Sequence, residues 1–174
     1  MFILGHIGIM VAIIFLLLHY GTRWRPNFDI RWLALGALLP DLIDKTVGLL
    51  IFPQYIDNGR IYAHTLLFSI ILTAIALLFK NRISISISFG AWTHLAFDKM
   101  WEVPETLAWP AYGLGFPKTD FYPGRWIEML FTDPYIYTTE LIGAGILFSL
   151  FIYWKLYKRN NWRKFWSSGK IPLV

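Results

Sequence analysis

The chain has no cysteine. That absence excludes disulfides, thiolate metal sites and a thiol nucleophile, so any metal must be held by histidine and carboxylate. Charge is scarce as well. Asp, Glu, Lys and Arg make up 16% of the residues, against about a quarter in a soluble domain. No internal repeat, low-complexity tract or phosphate-cradling glycine-rich loop is present. The net charge of +5 is modest, and no nucleic-acid partner is expected. What is abundant is apolar and aromatic. Hydrophobic residues reach 56%, aromatics 18%, with nine Trp and nine Tyr, and the mean hydropathy is +0.49. This profile predicts an integral membrane protein whose aromatic residues decorate the bilayer interface.

Residues 2–20 form a first apolar run long enough to cross a bilayer. They lack the basic start and the small-residue cleavage site of a signal peptide. Residues 30–52 form a second run, interrupted by Pro40, Asp41, Asp44 and Lys45. The proline is expected to kink or break that helix. Further runs cover 61–79, 83–98 and 134–156. The stretch "ISISISFG" alternates like a strand, but a lone strand is not viable in lipid, so helix is expected. The predicted fold class is all-α, a polytopic membrane helix bundle of about five transmembrane or re-entrant helices. One integral membrane domain spans 1–174, with an interfacial aromatic loop over 99–133 and a basic cytoplasmic tail over 155–174.

Orientation follows from Lys and Arg. With the N-terminus outside and every run crossing, Arg23, Arg25, Arg31, Lys80, Arg82 and the C-terminal cations from Lys155 to Lys170 lie inside. Arg60, Lys99, Lys118 and Arg125 lie outside. The expected location is the plasma membrane, with a cytoplasmic C-terminus.

On that topology the ionisable residues converge. His6 lies near the outer end of the first run, and Asp41 and Asp44 in the outward half of the second. His64 opens the third, His94 and Asp98 close the fourth, and Glu140 lies two turns into the fifth. Each ionised group in hydrocarbon costs about 3 kcal/mol or more unless paired. Three histidines and four carboxylates with few cations nearby call for bound divalent metal. A His/carboxylate set suits zinc, or manganese or iron in a carboxylate-rich variant. A proton or metal-ion relay through the same His/Asp/Glu cluster is the alternative.

The segments "GALLPDLID" (36–44), "YAHTLLF" (62–68), "WTHLAFDKMWEVPETLAWPAYGLGFP" (92–117) and "YIYTTELIGAGIL" (135–147) resemble the membrane-bound metal-dependent hydrolases. These are inner-membrane proteins related to a LexA-regulated bacterial protein, and the segment 104–117 is most similar to archaeal-type members. A more distant similarity is to zinc-dependent phospholipase C. That likeness implies Asp41, His64, His94 and Asp98 as metal ligands, and His6 and Glu140 beside them. The chain has four histidines, fewer than phospholipase C, so one or two ions are expected rather than three.

The activity these readings imply is phosphoester hydrolysis in a lipid or lipid-linked substrate at the outer membrane face. Asp44 is the candidate general base or bridging carboxylate, and Arg60, Lys99 and Arg125 are candidates to hold the substrate phosphate, with Lys118 more simply a headgroup contact. The aromatic side chains of 99–133 are candidates for an interfacial lid.

Overall fold

The computed structural model describes residues 1–20, 28–52, 58–119, 122 and 124–169, with Trp126 described by its backbone alone. Arg23, Arg25 and Lys170 of the inside set, and Phe121 and the Trp126 ring of the aromatic loop, lie outside the described residues. Eight α-helices and no strand are present among them. They are α1 (Ile3–Tyr20), α2 (Ile30–Lys45), α3 (Leu66–Phe79), α4 (Arg82–Phe97), α5 (Pro104–Leu107), α6 (Arg125–Thr132), α7 (Pro134–Tyr153) and α8 (Arg159–Ser168).

Caps mark where the helices begin. Asp29 accepts from Arg31 N at the start of α2, Thr65 from Phe68 N at α3, and Asn81 from Ser84 N at α4. Asp133 accepts from Tyr135 N and Ile136 N at α7, where Pro134 fills the first turn without wasting a donor. The strand-like "ISISISFG" lies wholly inside α4, because only a helix bonds its own backbone within one segment.

α2 packs along α4, α3 against the other side of α4, and α1 against α7, with α1 also touching α2. Glycine permits two close crossings. A Cβ on Gly90 would lie 2.6 Å from Ala37 N, and one on Gly36 would lie 2.7 Å from Ile87 Cα. A Cβ on Gly8 would meet the Gly143 backbone in the same way. Small residues at such contacts let backbones approach where lipid offers no hydrophobic drive. Met10, Val11, Ile14, Leu33 and Ala37 fill the space between α1 and α2.

Among the described residues two helices, α1 and α7, are long and apolar enough to cross a membrane. The expected number of about five is thereby corrected. α3 has 14 residues, about 21 Å of helix, short of a hydrocarbon core of about 30 Å. α4 carries Ser84, Ser86 and Ser88, and α2 carries Asp41, Asp44 and Lys45. Of the kink or break expected at Pro40, the break does not occur. α2 runs through the proline to Lys45 and loosens only afterwards, into a π-helical turn over Thr46–Ile51. The outward faces are apolar, with Leu17 of α1, Leu78 of α3 and Phe148 of α7 exposed, as a lipid-facing surface is.

The long connection 99–133 is not without structure. It contains a 3₁₀ turn over Met100–Glu102, α5 and α6. Two of its aromatic side chains, Trp109 and Phe116, cluster with Tyr62 from outside it, with ring centroids 4.9 to 5.7 Å apart. The tail folds into α8. Its terminal carbonyls receive the Arg31 guanidinium at Trp166 O, Arg82 Nη2 at Ser168 O and Ile30 N at Gly169 O.

Because successive long helices reverse direction, one end of the bundle collects the start of α1, the end of α2, the start of α3, the end of α4 and the start of α7. Every candidate ligand named above sits at that end.

Candidate metal centre

Asp41, His64, His94 and Asp98 each offer one ligand atom, and those atoms all lie within 4.8 Å of one another. His64 Nε2 is 3.1 Å from His94 Nε2 and 3.5 Å from Asp41 Oδ1. His94 Nε2 is 3.8 Å from Asp41 Oδ1, and Asp98 Oδ2 is 3.9 Å from both nitrogens. Both histidines are fully buried.

The other nitrogen of each ring fixes its tautomer. His94 Nδ1 lies 2.6 Å from the Ala37 carbonyl oxygen, which can only accept, so Nδ1 carries the proton. His64 Nδ1 donates to Asp44 Oδ2 at 2.7 Å. In neutral rings both Nε2 lone pairs therefore face inward, toward each other and toward two carboxylate oxygens. Asp41 Oδ1 is buried without a hydrogen-bond partner among the described residues. Four electron-rich atoms converge with no donor among them in neutral rings, and a divalent cation matches that set. The residues present fit a single four-coordinate site of two imidazole nitrogens and two carboxylate oxygens. The second ring nitrogens bound to a carboxylate and a carbonyl are the usual outer support of such a site.

Asp44 is not placed as a general base. Its carboxylate is fully buried and accepts from the backbone N–H of Ile61, Ala63 and His64 as well as from His64 Nδ1. It pins the Tyr62–His64 turn to α2 and orients the imidazole, so it is a positioning residue.

Glu140 does not join the ligand set either. Its oxygens accept from Phe2 N, Leu4 N and Gly5 N at 2.8 to 2.9 Å. The first N–H groups of a helix have no partner within it, and Glu140 reaches across from α7 to supply one. His6 stands one step outside the four. Its ring stacks on His94 with centroids 4.1 Å apart, and its Nε2 donates to Asp98 Oδ1 at 3.1 Å. It holds Asp98 rather than the shared centre.

The expectation that few cations lie nearby is corrected. Lys45 Nζ binds Asp41 Oδ2 at 2.6 Å, Arg60 Nη2 binds Asp98 Oδ2 at 2.9 Å, and the Met1 amino group binds Asp98 Oδ1 at 2.7 Å. In the sequence Lys45 stands as a charge that interrupts the second run, and its i, i+4 spacing from Asp41 announces the pair. Asn58 was missed. It is buried, donates to Pro117 O at 2.6 Å and accepts from Arg60 N at 2.8 Å, so it holds the segment that carries Arg60. The dipeptide Asn58-Gly59 is a turn signal that could have found it.

A cleft of about 180 Å³ leads to Asp98, lined among others by Lys45, Asn58, Arg60, Thr119 and Arg125. Arg60 and Arg125 are thus beside the centre. Lys99 is not among the lining residues. It sits 4.3 Å over the Tyr135 ring and 4.0 Å from Glu102. Lys118 is exposed and lies outside the lining as well.

No curated protein and no solved structure matches the chain. A family profile does, that of the YdjM inner membrane protein, over residues 1–165. The match takes in every segment that carries a candidate ligand and all of α7, and so this apolar, all-helical chain belongs to the YdjM inner membrane protein family.

Proposed function

We propose that this membrane protein is a metal-dependent hydrolase of phosphoester bonds in a lipid or lipid-linked substrate, distantly like zinc-dependent phospholipase C. One observation carries the reading. Asp41 Oδ1, His64 Nε2, His94 Nε2 and Asp98 Oδ2 converge, while both Nδ1 atoms are committed to outer partners. A single zinc fits this donor set best, with manganese or iron as the carboxylate-tolerant variants. These four atoms would hold a divalent cation, whose Lewis acidity would lower the pKa of a water toward neutral pH and polarise a phosphoryl oxygen.

The chain's own residues do the rest. Asp44 and the Ala37 carbonyl hold the two imidazoles in the ligating tautomer. His6 and the Met1 amine fix Asp98 from its far oxygen. Arg60 and Arg125 line the cleft where an anionic headgroup would lie, and guanidinium forks suit phosphate oxygens. In this reading the site opens to the outer face, with the N-terminus outside and the basic tail cytoplasmic, as the Lys and Arg distribution supports. α2, α3 and α4, too short or too polar to qualify as spans on their own, then enter the membrane as a packed group beside α1 and α7.

The test is metal content by mass spectrometry on the purified chain, followed by glycerophospholipid turnover with and without chelator. Bound metal and chelator-sensitive turnover support the proposal. Metal without turnover on any lipid or phosphodiester leaves a binding or ion-transport protein. Absence of metal favours the second reading, a proton relay. The observation behind that reading is the 3.1 Å separation of the two Nε2 atoms, short enough to share a proton.

A further inference from the structure

The two carboxylates of the centre are not held alike. Asp41 gives Oδ2 to Lys45 and keeps Oδ1 unpartnered toward the imidazoles. Asp98 has no such spare oxygen. Its Oδ1 takes the Met1 amine and His6 Nε2, and its Oδ2, the atom facing both Nε2 lone pairs, is 2.9 Å from Arg60 Nη2. The Arg60 guanidinium thus sits on the one ligand atom that already has a cation. Its side chain is 42% exposed, on a segment that lines the cleft, so it has room to leave.

We infer that Arg60 is a displaceable counter-ion of the metal centre. It neutralises Asp98 Oδ2 when no metal is held, and it is driven off that oxygen into the cleft, as an anion-binding group, when metal is held. This inference rests on the proposed metal site. The physical cause is competition. Two cations cannot share one carboxylate oxygen in a buried site without strong mutual repulsion. A guanidinium released from Asp98 regains a partner only by meeting an anion in the cleft, where Lys45 and Arg125 also contribute to the wall. Metal loading and anion binding are therefore coupled through Arg60, each strengthening the other. The cleft acquires its full positive character only in the loaded protein, which keeps phosphate out of an empty site.

The experiment uses the full chain in detergent and measures zinc affinity by competition with a chromophoric chelator. Arg60→Gln removes the competitor and is expected to bind zinc on the order of tenfold tighter than wild type. Arg60→Lys, which keeps the charge, is expected to stay near wild type. Inorganic phosphate is expected to strengthen zinc binding in wild type and to do so less in R60Q. Zinc binding by R60Q that is unchanged or weaker overturns the inference and leaves the metal site standing, as does an equal phosphate effect in the two proteins. A wild-type chain that binds no zinc, manganese or iron overturns both.

Discussion

The bundle buries aspartate at each of its two ends, and the two burials differ in kind. At one end Asp29 is enclosed by the chain's own cations. Arg31 meets it through Nε and Nη2 at 3.0 and 2.7 Å, and Arg82 Nη2 adds a third contact at 3.0 Å. Burial opposes its ionisation, but the Arg31 hydrogen bond and the charges of Arg31 and Arg82 hold its carboxyl below the usual carboxylate range. Both of its oxygens are spoken for, and the same arginines cap the end of α8. At the other end Asp41 and Asp98 also have cations, but Lys45 takes only the outer oxygen of Asp41, and Arg60, on Asp98 Oδ2, is partly exposed. What faces inward is an unpartnered oxygen and two imidazole lone pairs. A closed ion cluster ties helices together. A centre whose inner atoms are all acceptors needs something from outside.

The sharpest way to break this contrast is His94→Ala. It removes a ligand from the centre and nothing from the Asp29 cluster. Bound metal, read by mass spectrometry, is expected to fall by more than about 100-fold in affinity, beyond the loss typical of an outer-shell change. Metal content equal to wild type would make the centre a structural polar cluster like its counterpart.

Asp44→Asn comes next. It keeps size but loses half the acceptor capacity that orients His64 and pins Ile61 and Ala63. Metal affinity in a chelator titration is expected to drop by about 10- to 100-fold, with a lower melting temperature. If turnover vanished while metal affinity held, Asp44 would be a base after all.

Asp29→Asn sharpens the contrast from the other side. It is expected to cost about 2 kcal/mol of stability with metal content unchanged. The pH dependence has a definite sign. A carboxyl with a depressed folded pKa stabilises above its unfolded value of about 3.9, and loses that contribution as pH falls through the lower folded value. The gap in melting temperature between wild type and D29N is therefore expected to be full at neutral pH and to close on acidification below about 4. A gap that persists there would assign the effect to packing.

The smallest effect belongs to Glu140→Gln. As a cap for the start of α1, its loss is expected to cost about 1 kcal/mol and to leave metal affinity at the wild-type level in the same titration. A large fall in metal content would return Glu140 to the ligand set.

Much of this was legible along the chain. His94 and Asp98 stand one turn apart at the end of an apolar run, which puts them on one face of a helix. The alternation of runs sends α1, α3 and α7 outward from the end to which α2 and α4 return. Neither argument could separate ligand from support. Asp41 and Asp44 are one turn apart on α2, yet one turns an oxygen to the centre and the other to the backbone of 61–64. Glu140 shares depth with the ligands but faces the first turn of α1. Lys99 follows Asp98 directly, and its left-handed backbone swings it toward Tyr135 instead of the cleft. Helix count was overread for a related reason. Apolar composition marks a helix as greasy, but its span depends on where caps and charges end it, as Thr65 and Lys80 do for α3.

The sequence by itself determined the apolar surroundings and the kinds of side-chain donor on offer. Its apolar excess and missing cysteines set a helical membrane protein whose only metal donors are imidazole and carboxylate, because those properties are local and additive. The tertiary structure alone decided which donors face one another. Convergence depends on helix rotation, on the Gly36 and Gly90 crossing that brings α2 onto α4, and on which hydrogen bond each second nitrogen or oxygen finds. Those are long-range contacts, and no spacing along one helix encodes them.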